Sequence, residues 1–125
     1  MLFLTTQEVL GIAERVIPGC AVRDVGLVEA AVARPQASFA GQRVYPDAVR
    51  MAAALVESLV CNHALVDGDK RLGLACLIVF LRLNGHRLTM TNDQAYDLIY
   101  AVASRMMRSV DVIAAALRPT VQDPS

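Results

Sequence analysis

The sequence predicts an all-α fold in one compact domain, and three observations carry that reading. Apolar residues recur at helical spacing from Thr6 onwards, interrupted mainly by short Gly, Pro, Asn and Asp punctuation. The segment Leu72 to Leu83 is apolar nearly all round, as expected of a buried central helix in a bundle. The composition is 55% hydrophobic, much of it Ala, Val and Leu, in a chain of 125 residues. That length suits one domain with a sizeable core.

Thr5 to Glu8 reads as a capping box, a hydroxyl followed three residues on by a carboxylate. Val9, Leu10, Ala13, Val16 and Ile17 then share a helical face, and Pro18-Gly19 stops the helix. Asp24 caps a second helix with Leu27, Val28, Ala31 and Val32 inward; Arg34-Pro35 ends it. Gln36 to Tyr45 has no helical period and reads as a loop or small hairpin, with Phe39 and Tyr45 as its anchors. Pro46 is expected to open the third helix at its first position, and Val49, Ala52, Ala53, Val56, Leu59 and Val60 make its inner face. Gly73 and Ala75 let neighbours approach the fourth helix, and Asn84-Gly85 terminates it. His86 to Met90 is an extended link, with His86 at the surface. Asn92 is expected to cap the fifth helix, where Tyr96 and Tyr100, four apart, share a face. Ser109 starts the last helix, with Ile113, Ala116 and Leu117 inward. The domain is expected to span residues 4–118, with 119–125 a flexible tail.

Twelve basic and twelve acidic residues cancel. No basic stripe is present, which argues against direct nucleic-acid binding. Surplus apolar surface without net charge favours a protein partner. Three scattered cysteines, Cys20, Cys61 and Cys76, match no metal pattern and suit a reducing cytosol. The start of the chain lacks the charged region of a signal peptide, and no apolar run is long enough for a membrane span.

Chemistry concentrates between the third and fourth helices. Asn62 to Arg71 holds an imidazole, two carboxylates, an ammonium and a guanidinium. The start of the fourth helix has unpaired N–H groups and positive potential. With Lys70 and Arg71 in its first turn, it is a place for phosphate. Asp67, just before it, suits Mg²⁺ shared with phosphate oxygens. His63, at the far end of the loop, suits a general base on a hydroxyl. Asp69 is expected to cap the helix. There it would accept the N–H groups that a phosphate needs and repel its charge, so an amide in its place would favour nucleotide binding and transfer. Cys61 is read as a small thiol packed on its helix rather than a nucleophile.

The string His63-x-Leu65-x-Asp67-Gly68-Asp69-Lys70-Arg71 resembles the HxFx(D/E)GN(G/K)R signature of the Fic fold. Lys70, where most Fic proteins have Gly, is similar to the death-on-curing (Doc) toxin branch. Leu4 to Leu10, Glu29 to Phe39 and Phe80 to His86 resemble the same branch, so the likeness runs from about Leu4 to Leu117. It implies a Fic/Doc-like helical bundle whose flap, at Ser38 and Phe39, aligns a target polypeptide. It also implies transfer of phosphate from ATP to a protein hydroxyl, where the broader Fic family transfers AMP. In that scheme His63 is the base, Asp67 holds Mg²⁺, and Gly68, Asp69, Lys70 and Arg71 bind the nucleotide phosphates. The resemblance further implies a bacterial cytoplasmic toxin acting on a translation factor such as elongation factor Tu. A small Phd-like antitoxin would cover its site in trans.

Three positions depart from that pattern. Leu65 replaces Phe, Asp69 replaces Asn, and Leu74 stands where AMP-transferring members have a second Arg. The internal inhibitory motif of many Fic proteins is absent, so control is expected from another chain. AMP transfer and binding without catalysis are the alternatives to phosphate transfer.

Overall fold

Five of six helices begin at a short polar side chain that accepts a hydrogen bond from the first turn. The computed structural model describes residues 1–123. Its helices are α1 (Thr6–Val16), α2 (Val25–Ala33), α3 (Ala48–Cys61), α4 (Asp69–Leu83), α5 (Asn92–Ala103) and α6 (Val110–Leu117). Thr5 caps α1 in a reciprocal box with Glu8, and Asp24 caps α2. Asp47, not Pro46, caps α3, because its carboxylate reaches the Arg50 N–H at 2.9 Å; Pro46 lies outside the helix. Thr91, not Asn92, caps α5, since Gln94 completes a second capping box. Ser109 caps α6. Only α4 has no capping side chain among the described residues; its N-cap is Gly68.

The most enclosed element is α3. Every residue from Met51 to Glu57 is buried, and the helix packs against α2, α4, α5 and α6. This differs from the expectation that Leu72–Leu83 is the central helix. One side of α4 buries Leu72, Cys76, Leu77, Phe80 and Leu81, but Ile78 and Leu83 reach solvent. The abundant Ala of α3 makes it thin enough to be surrounded, which an all-round apolar pattern does not disclose. Gly73 lets α3 and α4 approach closely: a Cβ there would overlap the Val60 side chain. At its far end α4 closes with His86 N–H on the Leu81 carbonyl (2.8 Å), Gly85 N–H on that of Arg82 (3.0 Å), and Gly85 left-handed at φ 84°.

The stretch after α2 is a hairpin. β1 (Ser38–Phe39) pairs antiparallel with β2 (Gln42–Arg43) across Ala40 and Gly41, both at positive φ, as a two-residue hairpin turn requires. Phe39 is 81% exposed and anchors nothing in the core, contrary to expectation; Tyr45 is half-buried and does. The hairpin's base is fastened by Arg34, which pairs with the buried Glu57 of α3 at 2.7 Å and donates to Ser58 Oγ and Tyr45 Oη. Burial disfavours the charge on Arg34, but these hydrogen bonds outweigh it and hold its pKa above the ordinary value.

The expected tail is shorter than predicted. Arg118–Thr120 forms a 3₁₀ turn, and β4 (Val121–Gln122) pairs with β3 (Arg87–Leu88). Val121 is covered from solvent on one side, so its alternation with Gln122 suits a strand edge. Pro124 and Ser125, the end of that expected tail, lie outside the described residues.

Burial pushes the Cys76 thiol from 9.0 up to about 12. The folded state therefore keeps this proton where the unfolded chain loses it. Stability from this source is full below about pH 9 and falls as pH rises towards 12, by about 1.4 kcal/mol per unit. Chemical denaturation at pH 8, 9, 10 and 11 is expected to show this decline in the native chain and a shallower one in Cys76→Ala.

Candidate active site

The loop between α3 and α4 is held from outside itself. His63 adopts a left-handed backbone, φ 58°, which is uncommon for a residue with a side chain. Its carbonyl accepts from the guanidinium of Arg23, with Nε at 2.9 Å and Nη2 also in contact. The N–H groups of Arg23 and Asp24 donate to the Ala64 carbonyl at 2.7 and 3.0 Å, and Val66 N–H donates to that of Ala21 at 3.0 Å. Val22 and Leu65 thus form an antiparallel bridge. Asn62 completes the clamp, donating to the Leu27 carbonyl at 2.8 Å and accepting from Ala64 N–H at 3.2 Å. Leu65 is buried and takes the core-anchoring place that the motif gives to Phe.

Gly68 turns the chain into α4 at φ 101°, a conformation that side chains rarely adopt, and a Cβ would also strike Ile17. The first helical N–H groups, of Asp69, Lys70 and Arg71, meet no protein acceptor among the described residues. Lys70 and Arg71 are exposed and have no carboxylate within 4.0 Å among them. The helix start is therefore positive and open.

Asp69 does not cap it. Its Oδ1 turns back and accepts the Leu65 N–H at 3.1 Å, while Oδ2 lies 3.9 Å from His63 Nδ1. The expected competition with phosphate for the helix N–H groups is therefore corrected: those groups are free, and this carboxylate belongs to the loop. A loop amide four residues back, itself lacking a partner, outcompetes the helix's own first turn.

Asp67, Gly68, Asp69, Lys70 and Arg71 line one end of a cleft of about 460 Å³ between α4 and α5. Leu74, Ala95, Ile99, Tyr96 and Tyr100 continue its wall, and the two tyrosine rings stack at 6.2 Å. Asp67 is exposed. No three His, Cys, Asp or Glu side chains gather as a metal cluster among the described residues. A lone carboxylate beside an open helix start fits the chemistry of Mg²⁺, an ion that can take its remaining ligands from phosphate and water. Ser38 and Phe39 sit apart on the exposed hairpin, where the pairing edge of β1 is free for another chain.

None of the three thiols is among the residues that line the cleft. Cys76 is fully buried, and burial with the carboxylates of Glu14 and Asp69 holds the Cys20 thiol above its ordinary pKa. Cys61 donates to the Val102 carbonyl at 3.4 Å.

A family model described as the Fic/DOC family matches residues 3–81, which include the whole loop and most of α4. The chain belongs to the Fic/DOC family. A protein named Toxin Doc from Mycolicibacterium smegmatis is 50% identical over 98 residues, covering 77% of this chain and 75% of that protein. Within the Fic/DOC family the chain stands in the Doc branch.

Arg23, Asn62, Asn92, Tyr96 and Tyr100 were not among the site residues foreseen from sequence. The tyrosine spacing foretold a shared face, but no local signal places that face in the cleft. Nothing marks Arg23 either, since it meets His63 across forty residues of chain.

Hydrogen bonds from a charged donor contribute about 1.5–3 kcal/mol. Replacing Arg23 by Met is therefore expected to leave the helices intact and to speed hydrogen exchange at the amides of Ala64, Leu65 and Val66 by roughly tenfold or more. Unchanged exchange there would mean that the guanidinium does not secure the loop.

Proposed function

We propose that the chain is the toxin of a toxin–antitoxin pair and acts as a protein kinase, transferring phosphate from ATP to a hydroxyl of a bacterial translation factor in the cytoplasm. The observation that carries this reading is the uncapped start of α4, flanked by Lys70 and Arg71, with a histidine base presented one loop away. The relative named Toxin Doc supports the toxin role.

ATP is the phosphate donor, and Mg²⁺, when bound, offsets phosphate charge. Asp67 would hold that ion. The N–H groups of α4 with Lys70 and Arg71 stabilise charge on the transferred group. Gly68 lets the backbone approach the phosphate closely; its positive φ and the Ile17 side chain behind it leave no place for a Cβ. His63 takes the proton of the target hydroxyl. The hydroxyl oxygen bonds to the terminal phosphorus as its bond to the leaving ADP breaks, and the electron pair departs with ADP. The exposed β1 edge, at Ser38 and Phe39, aligns the target by backbone pairing. The cleft's size and stacked tyrosines suit the nucleoside end of ATP. Elongation factor Tu is the expected target. Leu74, apolar and in the cleft wall, offers no second guanidinium for AMP transfer.

Incubating the protein with ATP labelled separately at the α- and γ-phosphates, Mg²⁺ and a bacterial lysate tests the reaction. The γ-label is expected on one translation factor; α-label on the target would mean AMP transfer, and no label would mean action by binding. Replacing His63 by Ala is expected to slow transfer by about 10²–10⁴-fold and to relieve growth arrest with the fold retained. A fully toxic His63→Ala variant would remove the imidazole from the mechanism.

Control is assigned to a partner chain. The apolar cleft beside the loop suits an amphipathic helix of a small Phd-like antitoxin. Co-expression of an adjacent small open reading frame is expected to restore growth. A chain that is harmless alone at high expression would leave such a partner without a purpose.

A further inference from the structure

Asp69 occupies a position that its residue type alone does not explain. An amide here would also accept the Leu65 N–H, so that hydrogen bond by itself does not call for a charge beside the phosphate site. Yet a carboxylate with only 14% of its side chain exposed is fixed at one oxygen by the Leu65 N–H. Its other oxygen lies 3.9 Å from His63 Nδ1, an ion-pair distance just beyond hydrogen-bond reach. Catalytic contacts in free enzymes are often long and shorten to hydrogen bonds only when substrate binds. The imidazole is otherwise 74% exposed, so its Nε2 edge is left towards solvent and any incoming hydroxyl. The backbone beneath it is held independently by Arg23 and Asn62.

We propose that Asp69 is a positioning residue for His63: its carboxylate accepts from Nδ1–H and so leaves Nε2 unprotonated and directed outward, ready to receive a proton. A neutral imidazole carries one N–H, and the partner of one nitrogen decides which nitrogen carries it. A carboxylate only accepts, so it selects the Nδ1–H tautomer. The same carboxylate stabilises the imidazolium formed when Nε2 takes the hydroxyl proton.

The effect of an amide follows directly. In Asp69→Asn the amide oxygen stays on the Leu65 N–H, which needs an acceptor. The NH₂ group then faces His63 Nδ1 and donates to it, so the proton moves to Nε2. The loop keeps its shape, but the outward nitrogen is no longer a base. Removal of a negative charge from the cleft meanwhile favours nucleotide binding.

The role of His63 as base rests on the proposed kinase reading; the tautomer does not. The test uses the full chain with ¹⁵N-labelled histidine at a pH where the imidazole is neutral. The chain has two histidines, so the signal lost in His63→Ala identifies that of His63. The native protein is expected to show Nδ1–H with bare Nε2, and Asp69→Asn to show the reverse, with the Leu65 amide still protected from exchange. Nucleotide titration is expected to give equal or tighter binding by Asp69→Asn, while the transfer rate falls by about 10³-fold or more, as for a triad carboxylate replaced by its amide. Native protein in the Nε2–H form would overturn the proposal without recourse to any variant. So would a rate in Asp69→Asn equal to native. If the tautomers behave as stated but native protein transfers no phosphate, the kinase reading fails and the positioning of His63 stands.

Discussion

The first N–H groups of α4 are left without acceptors among the described residues, and the structure around His63 follows from that. A helix start normally fastens the preceding loop through its capping side chain. Here the cap is glycine, and the nearest carboxylate is turned away, so the loop needs fasteners from elsewhere. The segment before α2 supplies them: three backbone hydrogen bonds, the Arg23 guanidinium and, from the loop itself, Asn62. This holds His63 in a backbone conformation that it would not keep alone. The open helix end and the rigid loop are two parts of one arrangement.

The same need explains why so much of the fold is given to supporting one short connection. α3 and α4 must leave the loop at a fixed spacing, and Gly73 permits their close approach against Val60. Ile17, at the end of α1, packs under Gly68, so the first helix also sets the entry into α4. Arg34 and Glu57 join the base of the hairpin to α3, which keeps the exposed β1 edge on the same rigid body as the loop. Such a pair is costly to break from one side, because it leaves a buried charge behind. His63, Asp67, Lys70 and Arg71 remain exposed, while Leu65 and Glu57 anchor the loop and the hairpin base from the core.

Much of this was legible in the chain. The loop motif, the capping box at Thr5, the Asp24 and Ser109 caps, and the close-approach role of Gly73 follow from local spacing, and local hydrogen bonds decide them. The sequence places the start of α3 two residues early, at Pro46, and the cap of α5 one residue late, at Asn92, because a proline and an amide are both good openers. Asp47 and Thr91 prevailed through contacts with Arg50 and Gln94. The sequence places a tail at 119–125, since a single Val among Pro, Thr, Gln, Asp and Ser does not announce a strand. The partner that makes β4 is β3, more than thirty residues earlier.

The sequence by itself determined the all-α class, the helix order and the chemical identity of the groups at the loop. Those properties depend on residues within a turn or two of one another. Tertiary structure alone decided which helix is central, where Phe39 points, and which side of α5 faces the cleft. It also decided the orientation of Asp69. Two acceptor geometries were open to that carboxylate, one along its own helix and one back across the loop. Local propensity favours the first. The Leu65 N–H, brought near by the bridge to Val22, had no other acceptor, and an unpaired amide in a half-buried loop costs more than an uncapped helix end open to solvent.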